Sequence, residues 1–124
     1  MNEFPRPKTW SSKFSNAFAG ITKGIRGQNS FYVHIPSAIA VITISAILQL
    51  DAIRLSLLLL CIGIVMTAEL FNSSLESLAT AITREENPSI GDALDIASGA
   101  VLASVVCAVL VGAVILLPAV LGGI

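Results

Sequence analysis

Charge is what this chain has least of. Only 12% of its 124 residues are Asp, Glu, Lys or Arg, against about a quarter in an ordinary soluble domain. With 55% apolar residues and a mean hydropathy of +0.87, that shortage excludes a water-soluble globular class and marks an integral-membrane chain. Cysteine is scarce too. Cys61 and Cys107 sit mid-way through separate apolar stretches, where a free thiol behaves as a small hydrophobe. No C-x-x-C, H-x-x-x-H or glycine-rich phosphate loop occurs, which removes zinc-site and Walker-type chemistry. Internal repeats and low-complexity tracts are absent, and nucleic acid is not an expected partner. The N-terminus does not read as a signal peptide, because the first apolar run starts too late. The net charge of −1 identifies no partner, since the charges are spread very unevenly.

Three apolar segments dominate, over 33–50, 55–68 and 96–124. A membrane-spanning helix needs about 20 residues, with a range of roughly 17 to 25. The first segment meets that length, and the third exceeds it without a single charge. The second is short alone, but Arg54 can snorkel at one end and the helix can run on past Glu69 into water. "QLDAI" separates the first two, so they form a tight antiparallel hairpin. Lipid leaves backbone groups no water to bond, so all three spans are helical. Pro36 and Pro118 fall within the outer spans, where membrane helices tolerate local kinks. Arg6, Lys8, Lys13, Lys23 and Arg26 precede the first span, while Arg54 alone occupies the hairpin and Arg84 alone the second connection. The excess of basic residues places the N-terminus and the 70–95 connection in the cytoplasm, with the hairpin and C-terminus outside.

The segment before the first span has its own pattern. In "TWSSKFSNAFAGITKGIRG", Trp10, Phe14, Ala17, Phe18, Ile21 and Ile25 share a stripe about 100° wide, with Lys13, Asn16, Lys23 and Arg26 elsewhere on the wheel. That predicts an amphipathic helix lying on the membrane surface, ended by "RGQN". The expected architecture is therefore all-α and integral to the membrane, a single domain over 1–124. It has a surface helix at 9–27 and helices at 31–50, 52–85 and 90–121 that contain the three spans.

Polarity gathers at one end of the spans. Glu69, Asn72 and Glu76 fall within about 60° of one face of the second helix. "TREENPSIGDALD" follows, with Ser89 expected as the cap of the third helix after Pro88, and Asp92 and Asp95 on one face of its first turns. Spacing alone leaves the stripe as a solvated helix end or a site. The two aspartates gain from a helix N-terminus even if they have no catalytic duty, so their position too leaves both readings open. The basic N-terminal residues follow from topology and anionic lipid, and His34 reads as an interfacial histidine. As chemistry, the same groups are suited to phosphoryl transfer, where catalysis is mostly positioning and charge neutralisation. Carboxylates ligate Mg²⁺ alongside substrate phosphates, or take a proton from a hydroxyl. An asparagine amide holds a phosphate or orients a carboxylate.

"ELFNSSLESL" followed by "ALDIASGAVLAS" resembles the small prokaryotic diacylglycerol kinase family, which includes the undecaprenol kinases. Its members carry E-x-x-N-x-x-x-E at the end of the second span and a K-D-x-x-x-x-A-V-L-like motif entering the third. "FSNAFAGITKGIR" is similar to the family's F-x-N-A-F-x-G-L-x-x-A-L-R, and "FYVHIPSA" to its F-R-x-H-x-x-x-A. The likeness runs from Phe14 to about Leu110 with spans and linkers in order. It implies a homotrimer of three-span protomers in the bacterial cytoplasmic (inner) membrane, moving the γ-phosphate of ATP to a lipid hydroxyl with Mg²⁺. Glu69 would be the general base, Glu76 a metal ligand, and Asn72 and Asp95 nucleotide-site residues. Asn16 matches a polar position of the surface helix. Gln28 stands where relatives carry a second metal-binding glutamate, and Leu94 where they carry a lysine. Thr80 and Asn87 replace a common aspartate and histidine. Lys23, Arg26 or Arg84 would have to supply the missing cation. A non-catalytic relative that binds nucleotide or lipid is the alternative that Gln28 and Leu94 motivate. A channel or transporter subunit is a weaker one, since no mid-span charge lines a path.

Overall fold

A computed structural model describes Arg6 and residues 9–122. Lys8, counted above toward the basic N-terminus, lies outside them, as do the last two residues of the third apolar stretch. Four helices follow in order: α1 (Trp10–Gly27), α2 (Phe31–Ile47), α3 (Ala52–Ile82) and α4 (Pro88–Val120). No strand occurs among the described residues. By length and composition α3 and α4 are each able to cross a membrane; a third span arises if α1 and α2, bent by 109° at their junction, count together.

Three of the four helix starts, those of α1, α3 and α4, carry a side-chain cap. The Thr9 hydroxyl accepts from the Ser12 N–H at 3.2 Å, and an Asp51 carboxylate oxygen accepts from the Arg54 N–H at 3.0 Å. That backbone hydrogen bond and the Arg54 guanidinium, 3.3 Å from the carboxylate, hold the Asp51 carboxyl below its ordinary range. Arg54 thus pairs with the helix cap. At α4 the cap is Asn87, not Ser89: its Oδ1 accepts from the Ser89 and Ile90 N–H groups, and Pro88 takes the first helical position. Proline suits that position because its absent N–H would have no partner there.

The end of α2 explains the tight hairpin. Apolar sequence continues to Leu50, but the helix stops at Ile47. The Gln49 N–H donates to the Ala46 carbonyl and the Leu50 N–H to the Ser45 carbonyl, while Gln49 takes a φ of 52°. This is a Schellman cap, whose left-handed residue is usually glycine. Four residues, 48–51, therefore reverse the chain.

The central helix is α3, which touches all three others and packs most extensively on α4. Buried apolar side chains are few: Phe31, Leu58, Val65, Ala97 and Ile115. Most large apolar residues of the spans face outward, as they do when lipid or another helix is the surrounding. Hydroxyls on α2 and α3 bond their own helix: Ser37, Thr43, Ser45 and Ser56 each donate to the carbonyl four residues back. They carry no unmet polarity into a lipid face. At α1, Trp10, Phe14 and Phe18 are exposed, and the Lys13 ammonium lies 4.5 Å above the Trp10 ring.

Candidate active site

α3 runs unbroken through the polar stripe, so Glu69, Asn72 and Glu76 stand on one face over two turns. That face is turned inward: Glu69 is 3% exposed and Asn72 7%. A solvated helix end would leave both in water. Burial of a carboxylate in so apolar a chain demands partners, and each acid has them.

Glu69 meets α2. Its Oε1 lies 2.9 Å from His34 Nε2, across 35 residues of sequence. The antiparallel hairpin brings the first turn of α2 beside the later half of α3. No described residue hydrogen-bonds the second oxygen, Oε2, within the chain. Glu76 meets both its own helix and α1. Its Oε1 accepts from Asn72 Nδ2 at 3.0 Å, and its Oε2 accepts a short hydrogen bond from Gln28 Nε2 at the C-cap of α1. Gly24 packs against α3 here: a Cβ there would sit 2.5 Å from the tip of the Leu70 side chain, which would have to turn aside.

One atom is left over. Asn72 Oδ1 is buried without a hydrogen-bond partner. Turning the amide over would place oxygen against the Glu76 carboxylate, so the present orientation suits an ionised Glu76. An orphaned buried acceptor is expensive, and it fits a site that receives a cation or a hydroxyl donor. No group of three or more His, Cys, Asp or Glu side chains converges among the described residues. Any divalent ion here would rest on the single carboxylate of Glu76, with the Asn72 and Gln28 amide oxygens. That is a hard-oxygen set of the kind Mg²⁺ accepts when substrate phosphates complete it.

A groove of about 690 Å³ opens beside this cluster between α1 and α3, lined by Lys23, Gly24, Gln28, Glu76 and Thr80 among others. It joins Lys23 to Gln28 and Glu76. Asn16 and Asp95 are exposed, line none of the cavities described, and make no side-chain hydrogen bond or ion pair with another described residue. The single chain therefore gathers Glu69, Asn72, Glu76, Gln28 and Lys23, but not the other two. His34 was not expected as a site residue. Its signal was its being the single histidine of the chain, at the start of a span. Leu94 and Asn87 border a separate cavity at the α3–α4 turn.

Comparison with known proteins places the sequence in a family. The family model described as prokaryotic diacylglycerol kinase matches residues 15–116. A diacylglycerol kinase from Synechocystis sp. is 37% identical over 106 residues, covering 85% of this chain and 61% of the relative. The chain thus spans about three-fifths of that protein's length. An undecaprenol kinase from Bacillus subtilis is 31% identical over 105 residues, covering 85% of each. The matched region includes α2, α3 and every residue of the buried cluster, and the chain belongs to the prokaryotic diacylglycerol kinase family.

Proposed function

We propose that this protein phosphorylates the hydroxyl of a membrane lipid, diacylglycerol or undecaprenol, with ATP at the cytoplasmic face of the bacterial inner membrane. The observation that carries the reading is Glu69: a buried carboxylate with one oxygen held by His34 and the other without a partner. That free oxygen takes the hydroxyl proton as the lipid oxygen attacks the γ-phosphorus. The bond from the γ-phosphorus to the β–γ bridging oxygen breaks, and ADP departs with that electron pair. The products are the lipid monophosphate and ADP.

The groove beside Glu76 takes the nucleotide in this reading. Lys23 faces the phosphates, and Asn72 steadies Glu76. Glu76, with the Asn72 and Gln28 amide oxygens, would hold Mg²⁺, which when bound neutralises phosphate charge. Asn16 and Asp95 do not reach this groove within one chain. Their nucleotide role belongs to a homotrimer, where a neighbouring copy presents them. The reading also takes α1 to lie on the cytoplasmic surface and α2, α3 and α4 to be the three spans.

Reconstituted protein should convert labelled ATP to labelled lipid only when diacylglycerol or undecaprenol is present. Glu69→Gln should lose at least a hundredfold in kcat, the low end for a general base. Full activity in that variant would remove Glu69 from the role. A second reading rests on Gln28, whose amide occupies Glu76 where a carboxylate would share a metal. If the parent binds nucleotide without turnover and Gln28→Glu with Leu94→Lys restores transfer, the protein is a non-catalytic relative.

A further inference from the structure

We propose that His34 is the positioning residue of Glu69, holding the carboxylate so that one oxygen faces the acceptor hydroxyl; this rests on the lipid-kinase reading above. An ionised carboxylate only accepts hydrogen bonds, so the 2.9 Å contact requires the proton on His34 Nε2. The bond fixes Oε1 and, through the planarity of the carboxylate, the direction of Oε2. The His34 side chain is 19% exposed and that of Glu69 4%. His34 also lines an apolar cavity of about 370 Å³ between α2, α3 and α4, with Val65, Met66, Val105 and Val109 among its walls. His34 therefore sits against a largely apolar wall, where a hydrogen bond to it is stronger than in water. The neighbouring polar groups are committed elsewhere. Ser37 donates to the Val33 carbonyl and Ser73 to the Glu69 carbonyl, so neither replaces His34 on the carboxylate. Asn72 is engaged with Glu76.

Misplacing a reacting group by about 1 Å costs on the order of a hundredfold in rate. Removing His34 should thus reduce kcat by about that factor, with the KM for ATP unchanged, since nucleotide contacts lie on the groove side. Two amide variants of similar polarity separate positioning from bulk structure. His34→Gln carries an N–H near the Nε2 position and should keep kcat within about tenfold of wild type. His34→Asn carries one near the Nδ1 position and should fall as far as His34→Leu. Equal rates in the Gln and Asn variants, or an unimpaired His34→Leu, would overturn the proposal. Because the chain has one histidine, nitrogen NMR of the full chain in detergent micelles reads this ring without assignment. Wild type should carry the proton on Nε2, and Glu69→Leu should lose that preference. A wild-type ring protonated only on Nδ1 would also overturn the proposal. Wild type without lipid-dependent ADP formation defeats the kinase reading instead, and the NMR result then judges the bond by itself.

Discussion

At the scale of residues, Gln28 and Glu76 are the pair to watch. A neutral amide donates to the carboxylate across the α1–α3 contact, which needs no ion to hold it together. Gln28→Glu would set two carboxylates side by side, and like charges at that range repel unless a cation lies between them. We expect Gln28→Glu to unfold at lower temperature than wild type without divalent ions, and to gain more from added Mg²⁺ than wild type does. Thermal unfolding in detergent with and without Mg²⁺ checks this; an equal response in both proteins rejects it. Much of the cluster was legible beforehand. Glu69, Asn72 and Glu76 repeat at helical spacing, and spacing is a local property. The His34–Glu69 contact was not, because it depends on the register of a hairpin whose turn lies some fifteen residues from either partner. The Gln28–Glu76 contact depends likewise on where α1 folds back. Sequence put Asp95 with the cluster on its level in the membrane and on the motif, and the single chain leaves it exposed outside the groove.

Among the elements, the helices were readable from apolar runs and their ends were not. Apolar residues continue through Leu50, yet a backbone cap stops α2 three residues earlier. Caps depend on φ, ψ and a few hydrogen bonds, which hydropathy does not record. The same holds at α4, where Asn87 rather than Ser89 faces the free N–H groups. Gln49 adopts a left-handed conformation that disfavours any residue with a Cβ. Replacing it should relieve that strain: Gln49→Gly is expected to stabilise the protein by about 1 kcal/mol. Denaturant titration in detergent measures the change, and a loss of stability would show that the Gln49 side chain makes a contact worth more than the strain.

For the whole molecule, the chief feature is a shortage of interior. Among the described residues five apolar side chains are buried, while Trp10, Phe14 and Phe18 on α1 and long runs on α2, α3 and α4 are not. The surface that remains requires lipid or further copies of the chain. Trp10 is the single tryptophan and is 73% exposed, so it reports directly on α1. Addition of anionic vesicles to detergent-diluted protein should shift its emission to the blue and shield it from aqueous quenchers; unchanged quenching would lift α1 off the membrane. α3 carries a further consequence. Its 31 residues extend about 46 Å, well beyond the roughly 30 Å of hydrocarbon. Glu69 stands about 26 Å along it from Ala52 and Glu76 about 36 Å. In the proposed topology Asp51 and Arg54 mark the far boundary, and the helix acts as a ruler that sets Glu69 just within the hydrocarbon thickness and Glu76 beyond it. A thicker bilayer would submerge Glu69 and a thinner one would lift it clear of the acceptor. On the proposed kinase reading, turnover should therefore peak at one acyl-chain length in a vesicle series, with membrane thickness itself a control on activity.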